Sequence, residues 1–160
     1  MLKLFQYNWQ VRSDWFDWCE NVPEEELMKK RTGGIGGILF TLYHIIEVEY
    51  NWICDMQGKI PQKPSFEECS NLRSLREFSA RCHKEITPFL YAWDSTKEDL
   101  ILNDHDEEGN TEQFRFGEAL RHVIAHEIHH IGQLSVWSRE IGRKPVTANL
   151  IRRGLFDSME

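Results

Sequence analysis

The sequence predicts a mostly helical protein of the all-α class, with one short β-hairpin in its C-terminal half. Four long segments place apolar residues three and four positions apart, which is the spacing of an amphipathic helix. Segments rich in glycine, proline and acidic residues separate them, and only one region has the pattern of a hairpin. With 160 residues, 41% of them hydrophobic, the chain is long enough for one domain, residues 1–160, around a single core.

The N-terminal half contains two of the predicted long helices. Apolar residues at helical spacing predict the first over residues 5–21. Residues 22–26, with one proline and three glutamates, predict a turn and a short helix, because such residues favour a first helical turn. The glycine-rich segment 32–37 opens the second long helix, which runs to about Gln57. These glycines lack the lysine and hydroxyl residue of a phosphate-binding loop, and we interpret them as permitting a tight helix start.

The third long helix is predicted to begin at a capping box. Ser65 and Glu68 have the three-residue spacing of that motif, and the helix continues to about Trp93. Pro88 is expected to kink the helix or to end its regular part, because proline removes a backbone hydrogen bond.

The hairpin and the last long helix follow. Residues 99–103 and 112–116 are predicted strands on either side of a turn rich in Asp, Glu, Gly and Asn. The last helix is predicted over residues 117–141 and ends at Gly142, a residue type favoured just past a helix end. Residues 143–160 are predicted to form an irregular tail.

The overall charge argues against nucleic-acid binding. The chain carries 19 Lys and Arg against 26 Asp and Glu, a formal net charge of −7, so a phosphate backbone is repelled. No stripe of basic residues offsets that balance.

The sequence also predicts a soluble, cytoplasmic protein. Gln6 and Asn8 interrupt any signal-peptide core, and no run approaches the ~20 apolar residues of a membrane span. The four cysteines form no C-x-x-C pair, so reduced thiols are the expectation.

Four of the seven histidines lie within nine residues of the last helix: His122, His126, His129 and His130. On a helix they share one arc about 100° wide, where residues four apart can reach the same ion. His122/His126 and His126/His130 both have that spacing, so the residues alone leave the ligand pair open. A third ligand has to come from elsewhere, and His44, within the apolar second long helix, is the best candidate. The pattern predicts a metal site between two helices.

Three imidazoles without a carboxylate or thiolate suit zinc, nickel or another late first-row divalent ion. Three protein ligands leave coordination positions open, as in catalytic sites, for a water, a thiolate or a carbonyl. Gln133, Glu47 and His129 are candidates to orient the ligands. The alternative is a solvated or pH-sensitive histidine face without metal. His83 and His105 stand alone and are interpreted as ordinary residues.

Two other metal motifs were weighed against this interpretation. Residues 126–130 satisfy the H-E-x-x-H motif of zinc proteases, with Glu127 as general base. Gly132 is one residue early for the extended form of that motif, no third histidine follows, and a substrate-aligning sheet is missing. A di-iron bundle needs Glu-x-x-His on two helices, whereas residues 44–47 have only the reverse order. Both are disfavoured.

Three segments together resemble the DinB/YfiT-like family of damage-inducible bacterial metalloproteins: residues 7–9 (Tyr-Asn-Trp), residues 42–52 and residues 126–133. The last is similar to the family pattern H-x-x-x-H-x-G-Q. The resemblance implies a four-helix bundle in up-down-down-up order with a hairpin before the last helix. It also implies a homodimer, a bound nickel or zinc ion, and ligation by His44, His126 and His130.

The resemblance implies a function as well. Characterised relatives include transferases acting on small thiols such as bacillithiol, and a mycothiol-dependent isomerase. A metal-dependent S-transferase that joins a small thiol to an electrophile is therefore the first expectation. A metal-dependent hydrolase and a non-catalytic metal-binding stress-response protein are the alternatives. Ile131 stands where many relatives carry a basic residue, and the sequence identifies no catalytic residue.

Overall fold

Helices dominate the structure, a computed structural model that describes residues 1–105 and 109–156. The elements, in chain order, are α1 (Leu2–Cys19), α2 (Glu24–Met28), α3 (Ile38–Met56), α4 (Leu72–Tyr91), β1 (Ile101–His105), β2 (Thr111–Arg115) and α5 (Phe116–Glu140). Short 3-10 turns span Glu67–Cys69 and Ser95–Lys97. Four long helices and a hairpin before the last of them match the architecture that the sequence predicts.

The four long helices form a ring in which each packs against two others. α1 contacts α4 and α5, and α3 contacts the same two helices, so α1 and α3 lie diagonally across the bundle. The contacts that set the helix directions are Asn8–Ile124 and Arg12–Glu127 for α1 with α5, His44–His126 and Trp52–His122 for α3 with α5, and Tyr43–Phe78 and Tyr50–Glu85 for α3 with α4. α1 and α5 are therefore parallel to each other and antiparallel to α3 and α4, which is the up-down-down-up order.

The backbone of the segment between α2 and α3 lies very close to the C-terminal end of α2. α3 begins at Ile38, so the glycines of residues 32–37 precede the helix and the predicted start there was too early. A Cβ on Gly37 would lie 2.5 Å from the carbonyl oxygen of Lys29. Any side chain at position 37 would clash with this backbone. Glycine is therefore required here for close packing and not for binding a ligand.

The capping box forms but starts only one turn of 3-10 helix. The Ser65 N–H donates to a carboxylate oxygen of Glu68 at 2.8 Å, and the Glu68 N–H donates to the Ser65 hydroxyl at 3.4 Å. The long helix begins later, at Leu72, where the Asn71 side chain accepts from the Ser74 N–H at 2.9 Å. Ser65 and Asn71, six positions apart, are both cap residues. Only Asn71 is followed by apolar residues at continuous helical spacing, and α4 begins directly after it.

α4 continues through Pro88 to Tyr91 instead of ending at the proline. A proline this close to the C-terminus removes only one hydrogen bond of the last turns, so the helix can tolerate it. The Thr87 hydroxyl donates to the His83 carbonyl in the same turn, an additional side-chain hydrogen bond next to the proline.

The hairpin connects α4 to α5 and lies against α3. Its strands pair antiparallel from Ile101 opposite Arg115 to His105 opposite Thr111. Their bounds differ by one or two residues from the predicted ranges 99–103 and 112–116. The ring of Phe114 contacts Trp52 of α3, so the hairpin closes one end of the α3–α5 groove.

The core lies between the four long helices. Its largest side chains, each with less than 2% exposure, include Trp15, Trp137, Tyr50 and Phe5. All four cysteines are free and buried, and burial raises the pKa of Cys19 and Cys82 to about 12. None of the described helices combines the length and apolarity that a membrane crossing requires.

Two glycines provide a matched test of this packing. Gly37→Ala is expected to reduce the free energy of unfolding by about 1–3 kcal/mol, because the new methyl group meets backbone that has no room to move. Gly132→Ala is expected to raise it by about 0.5–1 kcal/mol, since this position lies within α5 and faces open space. Urea denaturation of both variants measures the difference. A Gly37→Ala protein as stable as the parent would contradict the described approach of α2 and α3.

Candidate metal centre

Three imidazoles converge between α3 and α5. His44 comes from α3, and His126 and His130 come from consecutive turns of α5. The Nε2 atoms of His44 and His126 are 3.0 Å apart, and those of His126 and His130 are 3.1 Å apart. One nitrogen from each of the three residues lies within 4.8 Å of the other two. These are the residues that the sequence predicts as ligands.

Two of the three nitrogen–nitrogen distances, 3.0 and 3.1 Å, are close to those between ligands of one metal ion. Imidazole nitrogens bound to zinc at about 2.0–2.1 Å with tetrahedral angles are about 3.4 Å from one another. Within residues 1–105 and 109–156, no fourth histidine, cysteine or carboxylate joins the group. An ion held here would therefore have coordination positions free for other ligands.

The helix directions decide between the two possible histidine pairs. Because α3 and α5 are antiparallel, His44 is level with His126 and His130, while Trp52, two turns later in α3, is level with His122. The His122 ring lies 6.0 Å from that of His126, outside the three-nitrogen group. Helical spacing alone left this pair open; the tertiary structure brings His126 and His130 to His44 and leaves His122 outside, which is the set that the family resemblance implies.

A glutamine sets the tautomer of one ligand. The amide oxygen of Gln133 lies 2.7 Å from Nδ1 of His130, and an amide oxygen can only accept a hydrogen bond. The proton of neutral His130 is therefore on Nδ1, which leaves the Nε2 lone pair directed at the other imidazoles. The Gln133 amide nitrogen reaches Nε2 of His129 at 3.1 Å, which orients the glutamine in turn.

Glu47 takes a similar but looser position beside His44. Its carboxylate oxygen lies 4.0 Å from Nδ1 of His44, and Lys63 forms a salt bridge with the same carboxylate. Of the three candidate orienting residues, Gln133 contacts a ligand directly, Glu47 lies next to one, and His129 contacts Gln133.

Burial keeps the three imidazoles neutral. It lowers the pKa of His126 to about 3, and the neighbouring histidines act in the same direction. Burial also lowers the pKa of His44 and of His130. Because only neutral imidazole offers a lone pair to a metal, all three nitrogens are available at neutral pH without loss of a proton.

Glu127 is about 100° around α5 from His126 and points towards α1 instead of the histidine group. Both of its oxygens accept from the Arg12 guanidinium, at 2.9 and 2.6 Å, and the pair is buried. Burial raises the pKa of Glu127, with the Arg12 charge opposing that shift. A carboxylate held in this way faces no water at the histidines, so the zinc-protease interpretation with Glu127 as base is wrong.

Sequence reasoning missed Arg12 and its second partner, Glu49. The Arg12 Nη1 donates to Glu49 at 2.9 Å. Burial alone would lower the Arg12 pKa, but the charges of Glu127 and Glu49 outweigh it and raise that pKa. A signal was present, because Arg12 falls at helical spacing between Asn8 and Trp15 on the buried face of α1.

The apolar face of α5 also differs from the predicted one. The pattern of apolar residues in this helix predicts a buried stripe that includes Ile128 and a polar, histidine-bearing side that includes Trp137. Ile128 is instead 44% exposed, and Trp137 is 1% exposed. The Trp137 indole donates to the Thr32 carbonyl at 2.9 Å and packs against Gly34. The glycine-rich connection makes room for this ring, which residue polarity alone does not predict.

His83 lies outside the group of three imidazoles. His83 is half-buried on α4, and its ring lies edge-on to Trp9 at 4.3 Å, as an ordinary packed residue. The side chain of His105 lies outside the described part of the chain.

A bundle of four long helices with three neutral, converging imidazoles defines a helical-bundle protein with a candidate metal site. The chain belongs to the DinB family, whose sequence profile matches residues 1–154. It is 44% identical over 155 residues to the Uncharacterized protein YizA of Bacillus subtilis strain 168, an alignment that covers 97% of this chain and 96% of that protein.

The lowered pKa values predict how the metal-free protein responds to acid. Between pH about 6.5 and the lower folded-state values, the unfolded chain binds more protons at His44, His126 and His130 than the folded chain does. The free energy of unfolding should therefore fall as pH decreases from about 6.5 towards about 5, a window that lies above most carboxylate titrations. Urea denaturation in the presence of a chelator measures this. A His126→Gln variant should lose less stability across the same window, and an unchanged slope would contradict the burial of these rings.

Proposed function

We propose that this protein binds one divalent ion, zinc or nickel, through His44, His126 and His130 and uses the site to transfer a small thiol to an electrophile. The observation that carries the proposal is the convergence of three neutral Nε2 atoms with no fourth protein ligand among the described residues. A structural metal site closes its coordination shell with protein ligands, whereas a site with three leaves room for substrate.

The donor set supports a late first-row ion. Imidazole suits zinc, nickel and copper, while magnesium and calcium require oxygen ligands that are absent from this group. The Gln133 contact to Nδ1 of His130 is the kind of outer hydrogen bond that accompanies metal-bound histidine.

Access to the site supports a substrate. The side chain of His44 is 28% exposed, so the ligand group meets solvent on one side. Trp52 and His122 lie next to each other one turn of α5 before His126, and they offer an aromatic and a polar surface to a small molecule.

Bound there, a divalent ion would lower the pKa of a thiol and so supply a thiolate at neutral pH. In the transfer, the thiol loses its S–H proton to solvent, and its sulfur forms a bond to the electrophilic carbon. The bond from that carbon to its leaving group breaks, and the group departs as an anion. The chain's own part is to hold the three imidazoles together through helix packing and to fix the tautomer of His130 through Gln133. The choice of a thiol rests on the resemblance to small-thiol transferases.

Metal content of histidine variants tests the site. Untagged parent protein purified without metal-affinity resin should hold about one equivalent of zinc or nickel, since three ligands suffice for a catalytic site. His44→Ala and His126→Ala should each lose most of it, because two imidazoles hold an ion weakly. Elemental analysis measures the content.

His122→Ala is the matched control, because His122 is an exposed neighbour on the same arc of α5 but outside the three-nitrogen group. It should keep the full metal content. Loss of metal in His122→Ala with retention in His44→Ala would contradict the proposed ligand set.

Thiol binding tests the proposed chemistry. Protein loaded with cobalt or nickel should develop a sulfur-to-metal charge-transfer absorption when a small thiol is added, and the absorption should saturate. The matching alcohol, in which oxygen replaces sulfur, should produce no such band.

Saturation with the thiol, followed by its consumption when an electrophile is added, would support transfer. Metal that is bound tightly but ignores every thiol would contradict S-transfer and leave hydrolysis or a non-catalytic role to be assayed.

A further inference from the structure

We propose that Arg12, on α1, is a positioning residue of the metal site: it fixes the rotation of α5 and its separation from α3 so that three imidazoles from two helices meet. The inference rests on the proposed function, since it concerns the same site. α1 contributes no histidine to the group, yet Arg12 joins both helices that do.

The contacts of Arg12 leave little freedom. Nε and Nη2 donate to the two oxygens of Glu127 at 2.9 and 2.6 Å, a bidentate pair whose planes must align. Nη1 donates to Glu49 of α3 at 2.9 Å. All three side chains are at most 3% exposed, so water cannot replace these bonds.

Neighbouring residues of α1 complete the arrangement. The second oxygen of Glu49 accepts from the Trp9 indole at 2.9 Å. The Asn8 side chain donates to the carbonyl oxygen of Ile124 on α5 at 3.3 Å. Residues 8–12 of α1 therefore bind α3 at Glu49 and α5 at both Ile124 and Glu127.

Glu127 is placed to control the ligands because it belongs to their helical turn. It follows His126 directly and precedes His130 by three residues. Side-chain atoms lie roughly 5–6 Å from a helix axis, so a rotation of α5 by about 10° would move an imidazole nitrogen by about 1 Å. Metal–ligand distances tolerate only about 0.2 Å. An anchor on this turn therefore decides whether the nitrogens can share an ion.

Stability alone does not account for such an anchor. Replacing a buried ion network by well-packed apolar side chains is often neutral or stabilising, because desolvation offsets the attraction. What a planar guanidinium offers, and apolar packing does not, is a fixed angle between two helices.

The test is Arg12→Lys, which keeps the positive charge but loses the planar fork. Zinc affinity is measured by competition with a chromophoric chelator, at a temperature where circular dichroism shows all variants folded. Arg12→Lys should weaken zinc binding by about tenfold or more, because a small rotation of α5 moves the nitrogens beyond the distances that a metal ion tolerates. Its cobalt-loaded absorption spectrum should also change at saturating metal, which a general loss of stability would not cause.

Leu90→Ala, a buried position on α4, is the control for destabilisation, because α4 carries none of the three histidines. It should lower the melting temperature yet keep zinc affinity within about twofold.

If Arg12→Lys does not fold, the same zinc competition is measured on Glu127→Gln. This variant keeps the shape of the side chain but removes one hydrogen-bond acceptor of Arg12. Parent-like zinc affinity in the folded Arg12 or Glu127 variant, or an equal loss in Leu90→Ala, would overturn the role of Arg12. A parent protein that binds no zinc or nickel would instead refute the proposed function itself.

Discussion

The arrangement of the bundle depends on one buried guanidinium shared by two carboxylates. A charged group in a protein interior has to be paired and hydrogen-bonded, or its desolvation costs several kcal/mol, as a rough figure. Arg12 meets that requirement only when α1, α3 and α5 come together at one level, because Glu49 and Glu127 lie on different helices. The apolar stripes drive the helices to pack. Apolar packing alone, however, allows one helix to shift or rotate against another at a small cost in free energy. The ion network removes that freedom in the part of the bundle that carries the histidines.

Burial also determines the protonation of the histidines at the candidate metal centre. Burial of a histidine penalises the imidazolium form, and the closeness of three rings penalises it further, so the pKa of His126 falls to about 3. With the proton of His130 on Nδ1, its Nε2 lone pair faces the other imidazoles, and three nitrogens this close could share one divalent ion. Gln133 fixes the orientation of one ring from outside. The same side of α5 also presents His122, whose ring contacts Trp52 of α3, so polar and aromatic surfaces adjoin the open side of the group.

Local patterns predicted the elements better than their boundaries. The spacing of apolar residues located four long helices, and Gly142, with its positive φ of 72°, follows the end of α5 as predicted. The start of α4 was missed because the Ser65 capping box is real but caps only a 3-10 turn. Such a motif satisfies the first N–H groups of any turn, and only the packing that follows decides whether a helix continues. Polarity likewise misplaced Ile128 and Trp137, whose exposure depends on what lies opposite them.

The sequence by itself determined the helical class, the hairpin and the two i,i+4 histidine pairs, because periodicity and spacing are properties of one helix at a time. His44 was a candidate ligand from the sequence, but only its level against α5 selects the pair His126 and His130. Only the tertiary structure decides the role of Glu127. Its sequence neighbours match a metal-protease motif, but they do not reveal that its carboxylate is buried against Arg12. Direction, rotation and register between helices arise from contacts between residues that are 35 to 116 positions apart in the chain, and no local pattern encodes them.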